Sequence, residues 1–331
     1  MKIIVPMAGI GKRMRPHTLT VPKPLLKVAG KSIVQRLVED IASMCQEKVE
    51  EIAFIIGDFG EQVKQDLKKV ASDLGAKGSI YHQEEALGTA HAIYCAEPSL
   101  EGKVIVAFAD TLFYADFTLD EDKDGIIWVE KVKDPRAFGV VQVNDEGVIS
   151  EFVEKPEEFV SDLAIIGIYY FKDGRNLKEE IRYLLDNNIK DKGEFQLTNA
   201  LENMKAKGKK FYPGEVDEWL DCGNKNATVY TNQRVLERTG GQVDASLKKN
   251  NSVLVEPCYV GKDVQLNNSV VGPYVSIGRG SILNGVVMQN SIVQENSEIS
   301  DVVIENSMIG SHVKYSGKKS DLSLGDYNQS S

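Results

Sequence analysis

The stretch MAGIGKRMRPHTLTVPKP, residues 7–24, follows directly on the apolar run Ile3-Ile4-Val5 and leads toward a helical pattern from about Ser32. A buried strand, a glycine-containing turn and a helix start gather several backbone N–H groups into one concave loop, and such loops bind phosphate oxygens. Gly9 and Gly11 are accompanied by Lys12, Arg13, Arg15 and Lys23, so the loop suits a polyphosphate better than a neutral ligand. Two familiar phosphate loops do not fit. The dinucleotide pattern G-x-G-x-x-G needs glycine where Met14 stands, and a Walker loop needs a spacing and a hydroxyl that Gly11-Lys12-Arg13 lacks.

Composition sets the class. The chain has 331 residues and a formal charge of −10, and no long block of Lys and Arg interrupts the acidic background. That balance argues against nucleic acid or an anionic membrane as partner, and it makes the basic loop near the start a local anion site. Cys45, Cys95, Cys222 and Cys258 are far apart without C-x-x-C spacing, which points to buried thiols in a reducing compartment. Four isolated histidines do not make a zinc site. With no leader pattern after Met1 and no apolar run long enough to span a bilayer, the expectation is a cytoplasmic protein.

Up to about residue 238 short apolar runs alternate with amphipathic segments. KIIVPM, EIAFIIG, GSIYHQ and KVIVAFAD read as buried strands, the last one ending on Asp110, with helical patterns near 32–47, 60–74 and 88–97. This alternation predicts an α/β domain with a Rossmann-like mixed, mostly parallel sheet. From Gly125 the pattern changes to added antiparallel strands, and helices are expected near 175–188, 194–207 and 224–237. After Gly240-Gly241 aliphatic residues recur at roughly six-residue spacing with one-residue slips, for roughly eight to ten units. Stacked three to a turn, such units resemble the left-handed β-helix of hexapeptide-repeat proteins, whose end coil offers apolar surface to another subunit. The expected organisation is therefore a domain at 1–240, a short left-handed β-helix at 241–315 and a polar tail at 316–331.

Four further elements accompany the loop. Gln83 to Ala92, QEEALGTAHA, joins a strand to a helix; its glutamine amide can read an N–H and a carbonyl of a pyrimidine, and Gly88 would let backbone approach the base. Asp110 lies at the carboxyl edge of the sheet, where open α/β sheets bind ligands. Glu218 to Gly223, EWLDCG, holds Asp221, and Asp110 and Asp221 together suit one hard cation. Phe138-Gly139-Val140 and Phe152 to Pro156, FVEKP, flank a presumed hairpin.

In this order, and with GEFQLTNAL at 193–201, the elements resemble the sugar-1-phosphate nucleotidyltransferase family, nearest its glucose-1-phosphate thymidylyltransferase and uridylyltransferase members. The chain departs from the family pattern at Lys12, Ala109, Ile166 and Asn224. The resemblance implies a transfer from dTTP or UTP to a hexose-1-phosphate, glucose-1-phosphate in the first instance, with release of pyrophosphate. It implies Arg13 and Lys23 as catalytic cations and Ala8, Gly9, Gly11, Gln83, Gly88 and Thr89 as nucleotide-binding residues. Gly139, Glu154 and Lys155 fall on the sugar-phosphate side, and Asp110 and Asp221 hold Mg²⁺. A nucleoside triphosphate and a sugar-1-phosphate are the expected partners, with a homo-oligomer formed through the β-helix. Three alternatives stay open: a mannose-1-phosphate guanylyltransferase, an added acyltransferase activity in the β-helix with His312 as its histidine, and a non-catalytic sensor of nucleotide or sugar phosphate.

Overall fold

A computed structural model describes residues 1–9, 11–115 and 118–318, so most of the expected polar tail lies outside the described residues. The chain divides into two compact units, one of residues 1–26 and 32–223, the other of residues 27–31 and 224 onward.

In the first unit, strand β1 (Lys2–Pro6) carries Ile3, Ile4 and Val5, all without solvent exposure. Helix α1 (Ile33–Met44) follows; Ser32 caps it by accepting from the Gln35 N–H, and Ile33, Leu37, Ile41 and Met44 recur on its buried face. Next come β2 (Glu51–Ile56), α2 (Gly60–Asp73), β3 (Lys77–His82), the short α3 (Thr89–Tyr94) and β4 (Val104–Ala107). Strands β4, β1, β2 and β3 lie side by side in parallel, each buried strand reading as a continuous apolar run because helices cover the sheet. The third of them departs from expectation. Strand β3 is only partly buried, because it is the last strand of the row.

Beyond β4 the sheet turns antiparallel. Strands β5 (Thr111–Tyr114), β6 (Gly125–Lys131), β7 (Gly139–Val143), β8 (Ile149–Glu154) and β9 (Leu163–Phe171) follow in sequence. The long β9 pairs with β4 and with β6, and its register shifts between Ile165 and Tyr169, where Gly167 takes a φ of 86°. Helices α4 (Gly174–Asp186) and α5 (Leu197–Ala206) pack on each other, and β10 (Phe211–Glu215) and β11 (Glu218–Asp221) complete the unit. The result is a mixed, mostly parallel, nine-stranded sheet with a separate ribbon of β5 and β11.

In the second unit, short strands stack in parallel so that each coil repeats the last. Cys258 pairs with Val275 and Val275 with Ser291, a rise of 17 residues per coil and then of 16. Three six-residue steps less one or two residues give those numbers, which accounts for the slips in the sequence. Leu266, Leu283 and Ile299 stack inside, fully or almost fully buried. Asn251, Asn268, Asn290 and Asn306 take positive φ at corners, a conformation asparagine tolerates. The arrangement is consistent with a left-handed β-helix. Helix α6 (Lys225–Thr239) groups with these coils: its Asn232, with no exposure, accepts at Oδ1 from the Ala29 N–H at 3.0 Å and from Ser276 Oγ at 2.6 Å. Six-residue spacing begins only after this helix, so the expected domain at 1–240 includes it. His312 sits exposed in a corner of the last coil at a φ of 59°.

Among the described residues no helix is long and apolar enough to cross a membrane. None of the four cysteines is in a disulfide; Cys222 and Cys258 are buried as expected, whereas Cys45 and Cys95 are only half-buried. Burial pushes the Cys45 and Cys258 thiols up to about 11, where neither is a nucleophile at neutral pH.

Candidate functional site

Parallel strands all deliver their carboxyl ends to one edge of a sheet, and here that edge collects the loops the sequence singled out. The loop at residue 7 leaves β1, Gln83 follows β3 and Phe108 follows β4, while main-chain bonds tie the exits together: the Met7 N–H donates to Ile55 O at 2.8 Å and the Gln83 N–H to Ile56 O at 2.9 Å. Between them lies a cavity of about 450 Å³. Ala8, Gly9, Gly11, Lys12, Arg13, Lys23, Gln83, Gly88, Thr89 and Asp110 all contribute to its walls.

The glycine loop has two different requirements. Gly11 sits at a φ of 64°, with Thr18 Oγ1 donating to its carbonyl at 2.8 Å, and a β-carbon there would meet Lys23 Cβ at 3.0 Å. Gly9 has no heavy atom near its missing β-carbon and is exposed, so its main chain is open to a ligand. The following turn (Lys12–Met14) buries Met14 as an anchor and leaves Lys12 and Arg13 exposed at the cavity. Lys23, between two prolines, is only 8% exposed, and its Nζ lies 3.0 Å from Asp110 Oδ2. A buried ammonium held by one carboxylate beside an open glycine loop is a preset place for a second anion.

The strand before Asp110 ends at Ala107, not at Asp110 as expected; Phe108 bonds across to Gly167 O, so Asp110 sits in the turn between β4 and β5. That turn brings it to Asp221. Strands β5 and β11 run antiparallel with Thr111 opposite Asp221, and the Cys222 N–H donates to Asp110 O at 2.9 Å. Burial holds the Asp221 carboxyl above the usual carboxylate range; the Gly223 N–H at 2.7 Å works against that and the Asp110 charge adds to it, while Lys23 and Arg13 lower it. No group of three or more metal-ligating side chains occurs among the described residues. Two carboxylates sharing a site with cations close by nonetheless fit a magnesium ion that takes its remaining ligands from phosphate and water.

Gln83 and His91 meet across the turn of the QEEALGTAHA segment, Gln83 Nε2 at 3.2 Å from His91 Nδ1. Burial lowers the His91 pKa, and the charge of Glu85 opposes it. The glycine at 88 is demanded by the protein itself: at a φ of 118° a β-carbon would lie 2.5 Å from Phe195 O and 2.6 Å from Phe195 N. Thr89 is likewise engaged, its hydroxyl accepting from the Leu197 N–H at 2.9 Å and lying 3.2 Å from Gln196 Oε1. This segment is thus clasped to the start of α5 and to the residues just before it, where Glu194 lines the cavity wall. Glu194 lies inside the quoted GEFQLTNAL motif, yet its place in the wall follows from the clasp and not from its residue type.

Gly139, Glu154 and Lys155 form a second group, separate from the cavity walls. The register of the β7–β8 hairpin sets Glu154 opposite Gly139. A β-carbon at Gly139 would meet Glu154 Oε2 at 3.1 Å, Thr198 Oγ1 lies 3.4 Å from the same oxygen, and Lys155 Nζ lies 3.3 Å from Oε1. Lys192 Nζ donates to Lys155 O at 2.7 Å and holds the turn, where Lys155 adopts a φ of 44°. Beside Glu154 the Tyr169 hydroxyl is buried, and burial with the glutamate's charge pushes its pKa well up. Residue type alone assigns no role to Phe108, Gly223, Thr198 or Lys192, although Gly223 and Thr198 lie inside the quoted EWLDCG and GEFQLTNAL motifs.

Comparison with known proteins bears on the fold and the family. The solved structure of a UDP-glucose pyrophosphorylase complexed with UDP-glucose superimposes with a TM-score of 0.56 over 72% of this chain and 98% of its own, at 24% identity, a likeness of fold. The low-salt glycan biosynthesis nucleotidyltransferase Agl11 of Haloferax volcanii is 29% identical, with 90% of this chain and 89% of that protein aligned. A glucose-1-phosphate thymidylyltransferase of Streptomyces antibioticus is 28% identical over 95% of this chain and 93% of its own. The nucleotidyl transferase family matches residues 2–238, most of the chain, and the protein belongs to that family.

Proposed function

We propose that the protein transfers a nucleotidyl group from a pyrimidine nucleoside triphosphate, dTTP or UTP, to a hexose-1-phosphate, with glucose-1-phosphate the first candidate. The observation that carries this reading is the convergence of Arg13, Lys23, Asp110 and Asp221 around an open glycine loop. In the reaction a phosphate oxygen of the sugar-1-phosphate bonds to the α-phosphorus as the bond to the β-phosphate oxygen breaks. Pyrophosphate leaves with that electron pair. Both reactants are anions, so they must be neutralised before they can be oriented. The nucleophile is already ionised at neutral pH and needs no general base.

Arg13 and Lys23 take the charge on the α-phosphate and the departing pyrophosphate, and the main chain at Ala8, Gly9 and Gly11 cradles the phosphates. Gln83 reads the base edge, with Gly88 and Thr89 keeping that wall close to α5. Glu154 accepts from sugar hydroxyls, with Gly139 opposite it and Lys155 placed for the sugar phosphate. Asp110 and Asp221 are the residues that would hold Mg²⁺, whose chemistry there is neutralisation of phosphate oxygens.

The coil of the second unit serves assembly in this reading. Val253, Val270, Val287 and Val303 pair in register along one face, each at least 41% exposed, and an apolar row of that kind supports a homo-oligomer. Pyrophosphate release measured with each common nucleoside triphosphate against a panel of sugar-1-phosphates tests the proposal. Magnesium-dependent release with dTTP or UTP is expected. Preference for GTP would move the protein to the mannose-1-phosphate side of the family, and binding without turnover would make it a sensor.

A further inference from the structure

The segment Lys27–Lys31 belongs with the coils, although the chain on either side of it belongs to the first unit. It forms the tip of a short hairpin, Lys27–Val28 against Lys31–Ser32. The second unit holds that tip by its main chain. Asn232 accepts from the Ala29 N–H at 3.0 Å, and its Nδ2 donates to Tyr274 O at 3.2 Å. One partner is a backbone donor and the other a backbone acceptor, so the amide has a single satisfied orientation. Gln294, only 8% exposed, donates from Nε2 to Lys27 O at 3.0 Å. A β-carbon at Gly30 would lie 2.2 Å from Tyr259 Cε2, so the tip is packed flush against the coil. Lys27 also pairs with Glu295, but both side chains are partly exposed and such pairs add little. The buried amides do the holding.

On its other side the tip runs into Lys23 with little slack. Pro22 and Pro24 flank Lys23 and fix their own φ. The Leu25 N–H donates to Pro22 O at 2.9 Å, the Leu26 N–H to Lys23 O at 3.1 Å, and the Ile33 N–H to Leu26 O at 3.1 Å. A run pinned in this way passes a movement of the tip on to Lys23 instead of absorbing it. We propose that Asn232 and Gln294 are positioning residues for Lys23: by holding residues 27 and 29 they set where its ammonium meets the substrate phosphates. The second unit then contributes to turnover as well as to assembly. The proposal rests on the reading of Lys23 as a cation of the transfer, and both residues act through Lys23 and not on the reacting atoms.

The test is steady-state pyrophosphate release by the full chain, with the nucleotide and sugar-1-phosphate pair that turns over fastest. Misplacing a positioned group by about 1 Å costs up to roughly 10²-fold in rate. Asn232→Ala leaves the Ala29 N–H without its acceptor, and kcat should fall on the order of tenfold with a smaller change in KM for the nucleotide. Gln294→Met keeps the shape and drops one bond, so it should lower kcat in the same direction by less; it decides the matter if Asn232→Ala does not fold. Added to Lys23→Ala, neither substitution should lower kcat further, because residues that act as a unit are not additive. Ser291→Ala is the control: its hydroxyl bonds Gln289 O and the Ser307 N–H within the coil, so its loss should lower the melting temperature and leave kcat unchanged. Unchanged kcat in Asn232→Ala and Gln294→Met, with turnover lost in Lys23→Ala, would make the positioning role wrong and leave the reading of Lys23 standing. The same fall with and without Lys23, or an equal fall in Ser291→Ala, would show general loosening of the coil and would overturn the proposal. Full turnover in Lys23→Ala, or no turnover with any pair, removes the reading of Lys23, and the inference falls with it.

Discussion

Gly88→Ala places one methyl group where the structure has no room for it. Gly88 adopts φ 118° and ψ 175°, a region kept for glycine, and forcing alanine into it costs about 1–3 kcal/mol. The new β-carbon would lie 2.5 Å from Phe195 O, well inside any permitted contact. Phe195 cannot withdraw freely, because its N–H donates to Leu87 O at 2.8 Å and its carbonyl accepts from the Ala90 N–H at 2.9 Å. Opening both bonds adds about 0.5–1.5 kcal/mol each, for a total of about 2–6 kcal/mol. That is a large share of the about 5–15 kcal/mol that stabilises a typical domain. Urea unfolding followed by tryptophan fluorescence reads the correct unit, since Trp128 and Trp219 both belong to it. Gly147→Ala is the internal control. Its φ is 73° but nothing lies within 4 Å of the added carbon, so it should cost only the backbone term, about 1–2 kcal/mol. Because Gly88, Thr89 and Glu194 share the cavity wall, the Gly88 variant should also bind dTTP more weakly. A loss below about 1 kcal/mol, no greater than the control and with unchanged dTTP affinity, would refute the clasp between this loop and α5.

Arg13→Ala and Lys23→Ala should each lower turnover on the order of 10²–10³-fold with a smaller effect on nucleotide affinity, and steady-state kinetics with changes under about tenfold in both would take these cations out of the mechanism. Asp221→Asn should abolish the response of turnover to magnesium. It should also raise the melting temperature at pH 7: burial keeps the Asp221 pKa above its unfolded value, so its contribution favours folding at low pH and is lost as pH rises through the folded value. Asparagine keeps an oxygen for the Gly223 N–H, and the difference in melting temperature should close toward about pH 4; an equal melting temperature at pH 7 contradicts the sign. Val270→Lys with Val287→Lys puts two like charges into the exposed valine row, and light scattering should then report a smaller particle with turnover retained; an unchanged particle places the assembly contact elsewhere.

Local chemistry made much of this protein legible in its sequence. Ile3-Ile4-Val5 and the glycines after it announce a buried strand and a tight turn, because burial on both faces needs an unbroken apolar run and a tight turn needs glycine. The six-residue spacing after Gly240 announces the coil, because an inward aliphatic residue must recur at each face. Residue types also named Arg13, Lys23, Gln83, Asp110 and Asp221 as chemically apt. Only the tertiary structure decided which of them meet. Asp110 and Asp221 are joined by the pairing of β5 with β11, and no local pattern encodes a pairing between segments so far apart in the chain. The same holds for the salt bridge from Lys23 to Asp110, and for Gly88, which lines the cavity and also lies so close to the main chain of Phe195 that no side chain fits there. The strand at 77–82 reads as buried from its apolar residues, yet its place at the end of the sheet leaves one side open, since burial depends on neighbours and not on composition. Helix 225–239 went with the coils for a similar reason: Asn232 needs partners when buried, and Ala29 and Ser276 are where the folded chain supplies them.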